Sequence, residues 1–339
     1  MKAISFIIPA YNASQTVIRT MESILHTGIP SDSMEIIVVD DCSTDSTREV
    51  VNEYAKSHPQ VLLLCQQQNH RQGAARNRGL SVAEGEYVMF VDADDYVNVG
   101  LKDALNRIEQ SNADVVFCKY SIMTFAQKEV ENSIPISEKQ VYTGSDFCSN
   151  YYDTSVGNYV WAYIWRRKSL ISINRIFIED RRYEDADWIQ EVLFACKRIV
   201  FSKANVYIYH CVNNNSTTHT ISTDTLADWV HMAYRQWMFA EEIKNDAPLY
   251  YDKLICSCRH IVNGHFSFRR LSRFTPRQVR DIFSRVGKPA MNYLSGKKGW
   301  QFFPKLCFLT PRLVICMIII AYPLAAFGRR LTNIYRKIR

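Results

Sequence analysis

No two of the ten cysteines in this 339-residue chain are spaced C-x-x-C, and no internal repeat or low-complexity tract interrupts the sequence. The cysteines therefore supply no disulfide framework. Cys118, Cys196 and Cys316 sit in apolar runs and read as small buried hydrophobes. No G-x-G-x-x-G follows the first strand-like run, which argues against a dinucleotide cofactor. Residues 1–10 run straight into a strand pattern, so the expectation is no secretory signal and a reducing, cytosolic setting. The uncharged run at 313–327 (LVICMIIIAYPLAAF) falls short of the roughly 20 residues that span a bilayer as a helix, and Pro323 interrupts it.

What is present is enough for a large core. Apolar residues make up 47% of the chain, too many for disorder. At this length one large domain plus an appendage is the natural organisation. Net charge is +7, with the surplus concentrated from Arg259 onward. A basic end points to an anionic surface, membrane or nucleic acid.

Short apolar runs at 3–9, 35–39, 60–64, 87–91 and 114–120 read as strands. Helical patterns fill the gaps at 11–25 (with Ser14 as a cap), 43–54, 73–83 and 101–110. Strands alternating with helices mean a doubly wound, mostly parallel α/β sheet with ligands bound beyond the carboxyl ends of its strands. Three polar clusters fall at such ends: 9–12, 40–43 and 92–95. Beyond about Lys128 the alternation stops. Residues 183–196 read as a helix with an acidic start, 200–209 as a strand, and 225–272 as all-helical. The expected division is 1–220 for a nucleotide-binding catalytic domain, 221–295 for a helical region and 296–339 for a basic and apolar tail.

The chemistry centres on Asp92-Ala93-Asp94. In extended backbone residues two apart point the same way, so both carboxylates can hold Mg²⁺ or Mn²⁺, which would neutralise a departing diphosphate. The plain alternative is an acidic turn. Asp40-Asp41 ends the second strand, where a carboxylate either accepts from a base or ribose or caps the next helix. Arg76 and Arg78 lie in a helix start and either face a diphosphate or are solvated at the surface. Asp185 either caps the helix that presents Trp188, Val192 and Ala195 on one face, or, kept charged by the helix terminus, takes a proton from an acceptor hydroxyl. Locally, the cap is the better reading. Cys256, Cys258, His260 and His265 lack zinc-type spacing, and His210 reads as a satisfied core histidine.

Taken in order and spacing, residues 5–12 (SFIIPAYN), 36–45 (IIVVDDCSTD), 73–79 (GAARNRG), 85–95 (GEYVMFVDADD) and Glu184-Asp185 resemble the family 2 glycosyltransferases. The likeness runs from Ser5 to about Ser216. It implies a GT-A fold, with its Rossmann-like sheet and flanking helices, and inverting transfer of a sugar from a nucleotide-sugar, usually a uridine one. It implies that Pro9, Tyr11 and Asp41 border the nucleotide, that Asp92 and Asp94 form a metal site with Asp94 the direct ligand, and that Asp185 is the catalytic base. Arg76 joins the nucleotide-binding set. Relatives often carry Trp-x-Lys near the acceptor, and Trp161-Ala162-Tyr163 lacks that lysine. The acceptor is expected to be a saccharide or lipid-linked saccharide, not a nucleic acid. The aromatic and basic tail, 300–339, then reads either as a peripheral contact with the inner face of the plasma membrane or as a core or interface helix. The rival functions are a nucleotidyltransferase, for which residues 11–14 offer no triphosphate-holding basic loop, and a non-catalytic nucleotide-binding scaffold at the membrane.

Overall fold

The computed structural model describes residues 2–124, 128–131, 136–151, 159–210 and 222–298, together with 304, 307, 311 and 313–318. The chain divides into two compact units, Met1–Asn214 and Asn215–Arg339.

The first unit is a twisted sheet between helices. In chain order its elements are β1 (Ile4–Ala10), α1 (Val17–Leu25), β2 (Met34–Asp40), α2 (Thr47–Ala55), β3 (Val61–Cys65), α3 (Arg71–Val82), β4 (Tyr87–Phe90), β5 (Tyr96–Val97), α4 (Leu101–Ser111), β6 (Val115–Met123), β7 (Glu129–Glu131), α5 (Gly144–Tyr151), β8 (Tyr163–Arg166), α6 (Arg167–Ile173), α7 (Glu184–Ala195) and β9 (Ile199–His210). The strand order is β3-β2-β1-β4-β8-β6-β9-β5, with β7 paired to β6. β1, β2, β3 and β4 pair in parallel. β8 is inserted antiparallel between β4 and β6, so β6, and β9 beside it, run with β1 again. The carboxyl ends of β1, β2, β3 and β4 therefore open on one edge of the sheet.

Residues of β1 and β2 are almost all buried, as continuous apolar runs covered on both faces must be. Pro9 fits within β1 for a specific reason. The Ile7 carbonyl faces β4, where it accepts from Val91 N–H, so the missing N–H of Pro9, two residues on, faces the same side. The pairing with β4 has already ended at Ile7–Phe90. No ladder bond is lost.

The six strands expected from the sequence are present to within a few residues and β5, β7 and β8 are additional to them, but the first two helices start late. α1 begins at Val17 with Thr16 at its N-cap position, not at residue 11 with Ser14 as cap. Asn12 adopts a left-handed backbone (φ 51°), and the Ser14 N–H is taken by Asp45 Oδ2 at 3.2 Å. The loop after β1 is thus tied to the loop after β2 before either helix begins. β8 is missing from the sequence pattern because it is only 4 residues long and its buried run, Tyr163, Ile164 and Trp165, passes straight into Arg166 and the basic start of α6.

The second unit is helical: α8 (Thr223–Ile243), α9 (Pro248–His265), α10 (Phe268–Leu271), α11 (Pro276–Val286) and α12 (Lys288–Ser295). Ser222 caps α8 by accepting from Thr225 N–H at 3.1 Å. α11 carries a capping box between Thr275 and Gln278 and buries Val279, Ile282, Phe283 and Val286 as one stripe. Cys118 and Cys196 are buried as expected, but Cys316 is exposed, because the adjoining turn buries Val314 and Ile318 on its opposite side. Among the described residues no helix is long and apolar enough to cross a membrane. Most of 300–339, the expected membrane-contacting tail, lies outside the described residues.

α3 lies directly on β1 at Gly79, where a Cβ would come within 2.4 Å of Ile7 Cγ2. Alanine normally gains about 1 kcal/mol over glycine in a helix, but overpacking a core costs about 1–3 kcal/mol. Gly79→Ala is expected to lower the urea midpoint of unfolding with an unchanged slope; a raised midpoint would show that α3 is free to shift away from β1.

Candidate active site

The turn at 92–95 is not extended backbone, as the sequence reading assumed. Asp95 N–H closes it onto the Asp92 carbonyl at 3.2 Å. Burial nevertheless alternates: Ala93 and Asp95 point inward, while Asp92 and Asp94 are partly exposed. The turn is pinned from two elements, β9 and α1. Tyr207, on β9, donates its hydroxyl to Asp95 Oδ2 at 2.7 Å and accepts from Asp92 N–H at 3.0 Å. His210 N–H meets Asp95 Oδ1 at 2.7 Å. From α1, Arg19 reaches the Asp94 carbonyl at 2.9 Å, and Thr20 Oγ1 the Ala93 and Asp95 carbonyls at 3.0 and 2.9 Å. Burial, and then repulsion from Asp92 and Asp94, holds the Asp95 carboxyl far above the ordinary carboxylate range.

The tips of β1 and β2 are laced together. Asn12 Oδ1 accepts from Thr44 N–H at 2.8 Å, and Asn12 N–H donates to Ser43 Oγ at 2.9 Å. Asp40 and Asp41 face different partners, and Asp40 does not cap α2, whose N-cap position is held by Ser46. Asp40 is fully buried and pairs with Arg48 Nε at 2.5 Å while accepting Ser43 N–H at 3.1 Å. Asp41 turns the other way and accepts His70 N–H at 2.8 Å, at the start of α3. Burial raises its pKa, against the pull of the His70 and Arg71 N–H groups. The His70 ring lies 2.9 Å from Asp180 Oδ1, which holds its imidazolium above the usual histidine range. Pro9 is buried at the end of β1, and Tyr11 is half exposed just beyond it.

The run 73–79 has a different task from the one its arginines suggest. A Cβ on Gly73 would sit 2.3 Å from the Ile178 carbonyl. The Asn77 amide brackets Phe177, donating to its carbonyl and accepting its N–H, both at 2.9 Å. Arg76 is only 2% exposed. Its Nη1 donates to Glu184 Oε1, its Nη2 to Asp92 Oδ1 at 3.0 Å, and its guanidinium lies 5.6 Å from the centre of the Phe177 ring. Arg76 therefore does not face open solvent where a diphosphate would lie, because a buried cation takes the nearest anions. Burial alone would lower its pKa, but Glu184, Asp92 and Asp185 together raise it. Arg78 is exposed. The roles of Glu184, Asn77 and Tyr207 are not legible in the sequence, because their partners are a hundred residues or more away.

Asp185 is not the cap of α7. Tyr183 occupies that position in a left-handed conformation (φ 62°), and Asp185 lies inside the first turn, its Oδ1 accepting Ala186 N–H at 2.9 Å. Trp188 anchors the helix by stacking on Phe177 at 4.2 Å and meeting Phe90, the last residue of β4, edge-on at 5.8 Å. Trp188 and Val192 are buried as expected, whereas Ala195 in the last turn is exposed. The helix terminus does not keep Asp185 strongly acidic. Burial first, then the neighbouring Glu184 and Asp92, push its pKa up to about 7 against the pull of Arg76.

Beyond β4, Trp161 stacks on Tyr159 at 4.8 Å and on Tyr207 at 4.5 Å, with Tyr120 edge-on at 4.9 Å. The segment that lacks the lysine thus buttresses the tyrosine that holds the 92–95 turn. Cys258 is buried between α8 and α9 while Cys256 and His260 are exposed. Among the described residues no three His, Cys, Asp or Glu side chains cluster as a ready metal cage.

A family model described as Glycosyl transferase family 2 matches residues 5–172. The chain is 32% identical over 217 residues to YibD of Escherichia coli K12, described as an uncharacterized glycosyltransferase, and that match spans 62% of each chain. It is 37% identical over 120 residues to TarS of Staphylococcus aureus, a poly(ribitol-phosphate) beta-N-acetylglucosaminyltransferase, across 35% of this chain and 21% of TarS. The crystal structure of TarS residues 1–349 in complex with UDP-GlcNAc superposes with a TM-score of 0.60 at 23% identity, covering 98% of this chain and 92% of that one. The mannosyltransferase PcManGT of Pyrobaculum calidifontis, solved with GDP-Man and Mn²⁺, gives 0.55 at 16% identity, covering 95% and 86%. These structural likenesses establish the GT-A fold.

Two outcomes follow from the site's electrostatics. Breaking a buried ion pair from one side costs about 3–5 kcal/mol, against about 0–1 for a surface pair. Arg76→Ala is therefore expected to destabilise the fold by that larger amount in chemical denaturation, and loss of less than about 1 kcal/mol would show that Glu184 and Asp92 do not depend on it. The folded pKa of Asp185 lies above its unfolded value, so its contribution to stability is complete in acid and is lost as pH rises through about 7. Asp185→Asn should raise the melting temperature at pH 8 and leave it unchanged at pH 4; equal effects at both pH values would refute the raised pKa.

Proposed function

Residues 5–172 make this chain a member of glycosyl transferase family 2, and from that membership we propose that it moves a sugar from a nucleotide-sugar, a uridine diphosphate sugar in the first instance, onto an acceptor hydroxyl with inversion. One observation carries the reading: a single buried guanidinium, Arg76, joins the first turn of α7, where Asp185 sits, to Asp92 at the tip of β4. Acceptor base and phosphate-side carboxylates thus belong to one rigid cluster.

The nucleotide lies against Pro9 and Tyr11, with Asp41 accepting from its base. Support comes from the placement of all three at the carboxyl edge of β1 and β2, where such sheets bind ligands. The donor set suits a hard divalent cation: Asp92 and Asp94 present oxygen ligands on the exposed side of a turn whose inward side is fixed. Asp94, with Asp92 beside it, would hold Mg²⁺ or Mn²⁺. When bound, the ion supplies positive charge to the departing diphosphate. The Mn²⁺ named for PcManGT is in keeping with this. Arg76 contributes to the nucleotide side by holding Asp92 in position.

Asp185 takes the proton of the acceptor hydroxyl. A base with a pKa near 7 is well matched to this, because about half of it is ionised at neutral pH and it is still basic enough to accept. One base on the acceptor side fits a single displacement, hence inversion. The acceptor is a saccharide or lipid-linked saccharide; the poly(ribitol-phosphate) in the name of TarS supports a surface polymer as the setting. The place of work is the inner face of the plasma membrane.

The test is release of the nucleoside diphosphate from candidate donors with Mn²⁺. Asp94→Ala is expected to abolish turnover. Asp185→Asn should retain nucleotide binding, seen as an unchanged ligand-induced thermal shift, while transfer falls by roughly three orders of magnitude or more. Transfer by Asp185→Asn at the wild-type rate would remove the base assignment. For the wild type, kcat/KM should rise with pH and reach half its plateau near pH 7, because only the ionised carboxylate accepts a proton; a flat profile between pH 5 and 8 would contradict the role.

A further inference from the structure

The helical unit carries a concentration of positive charge that sugar transfer does not use. Residues 253–298 contain eleven Lys and Arg and a single acidic residue, Asp281. Asp281 is engaged by Arg285, at 2.9 Å, and Arg285 also reaches Asp224 at 3.2 Å. The remaining cations around α11 are uncompensated. Arg273, Arg277, Arg280 and Lys288 are exposed, and none has an acidic partner within ion-pair distance among the described residues. Their arrangement follows from the helix. Val279, Ile282, Phe283 and Val286 face the core, which turns Arg277 and Arg280, three apart, onto one outer stripe. Arg273 precedes the helix and Lys288 follows it, extending the stripe at both ends.

We infer that the outer face of α11, with Arg273, Arg277, Arg280 and Lys288, is an electrostatic docking surface for an anionic lipid leaflet. A folded helix that has already buried its apolar stripe cannot lie in the bilayer as an amphipathic insert, so this contact is one of charge with headgroups. Each Lys or Arg near such a surface contributes attraction of similar size, and the attraction fades within a Debye length. A membrane is favoured over a soluble polyanion because the same unit continues into the uncharged sequence 313–327, and Leu313, its first residue, is half exposed. The surface is distinct from the tail at 300–339 and independent of the transfer reading.

The experiment is co-sedimentation of the full-length protein with vesicles of neutral phosphatidylcholine and of phosphatidylcholine containing about 30 mol% phosphatidylglycerol. The wild type should bind the anionic vesicles, fail to bind the neutral ones, and be released by about 1 M salt. The triple variant Arg273→Gln, Arg277→Gln, Arg280→Gln should lose about fivefold in partitioning per residue, on the order of a hundredfold together. The matching Lys triple variant should bind like the wild type, since point charge is what is required. Equal binding by wild type and Gln variant would assign the contact to the tail and overturn the inference, as would equal binding to neutral vesicles. Capture of soluble polyphosphate with no vesicle binding would overturn it in favour of a polymer. Donor turnover in the Gln variant should be unchanged in detergent-free buffer without vesicles, which separates a failed surface from a failed active site.

Discussion

A guanidinium with 2% of its surface exposed cannot be left without anions, because the cost of burying an uncompensated charge runs to several kcal/mol. Arg76 meets that demand with Glu184 on one side and Asp92 on the other. Three parts of the chain, the middle of α3, the tip of β4 and the first turn of α7, are therefore held to one geometry. Gly73 and Asn77 serve the same end by letting the segment before α7 lie against α3 and by matching its backbone groups. The first turn of α7 is thereby fixed against the tip of β4 before any ligand arrives.

Acidic residues recur as neighbours, and in each case the two divide their tasks. Asp40 is spent on Arg48 and the loop, while Asp41 faces the start of α3. Asp95 is locked to Tyr207 and His210, while Asp94 stands on the open side. Glu184 anchors Arg76, while Asp185 keeps partial exposure. A buried acid with a fixed partner sets the backbone, and the adjacent acid inherits a defined direction. The repulsion between the two is also useful, since it is part of what raises the pKa of Asp185.

The strands and the three converging loops were legible in the sequence because a buried parallel strand is a continuous apolar run and its polar tip follows at once. The order of the motifs carried the family resemblance, and the matched family bears it out. What could not be read depends on long-range partners. The late start of α1 is decided by Asp45 and Ser43, 31 residues away. The burial of Arg76 is decided by Glu184, more than a hundred residues on. The left-handed Tyr183, which displaces Asp185 from the capping position into the first turn, has no local signature, since tyrosine rarely adopts that conformation. The antiparallel β8 is only 4 residues long, so its direction appears only once it is seated between β4 and β6.

The lacing of Asn12 to residues 43–45 has a thermodynamic meaning. Two rims that would otherwise sample separate conformations are joined by one amide oxygen and one hydroxyl. Their freedom is surrendered when the chain folds, not when a ligand arrives, so association is spared the ordering of those loops. The entropic penalty of recognition at this edge then falls chiefly on the incoming molecule, and discrimination among ligands rests on how well each arrives in the shape already waiting for it.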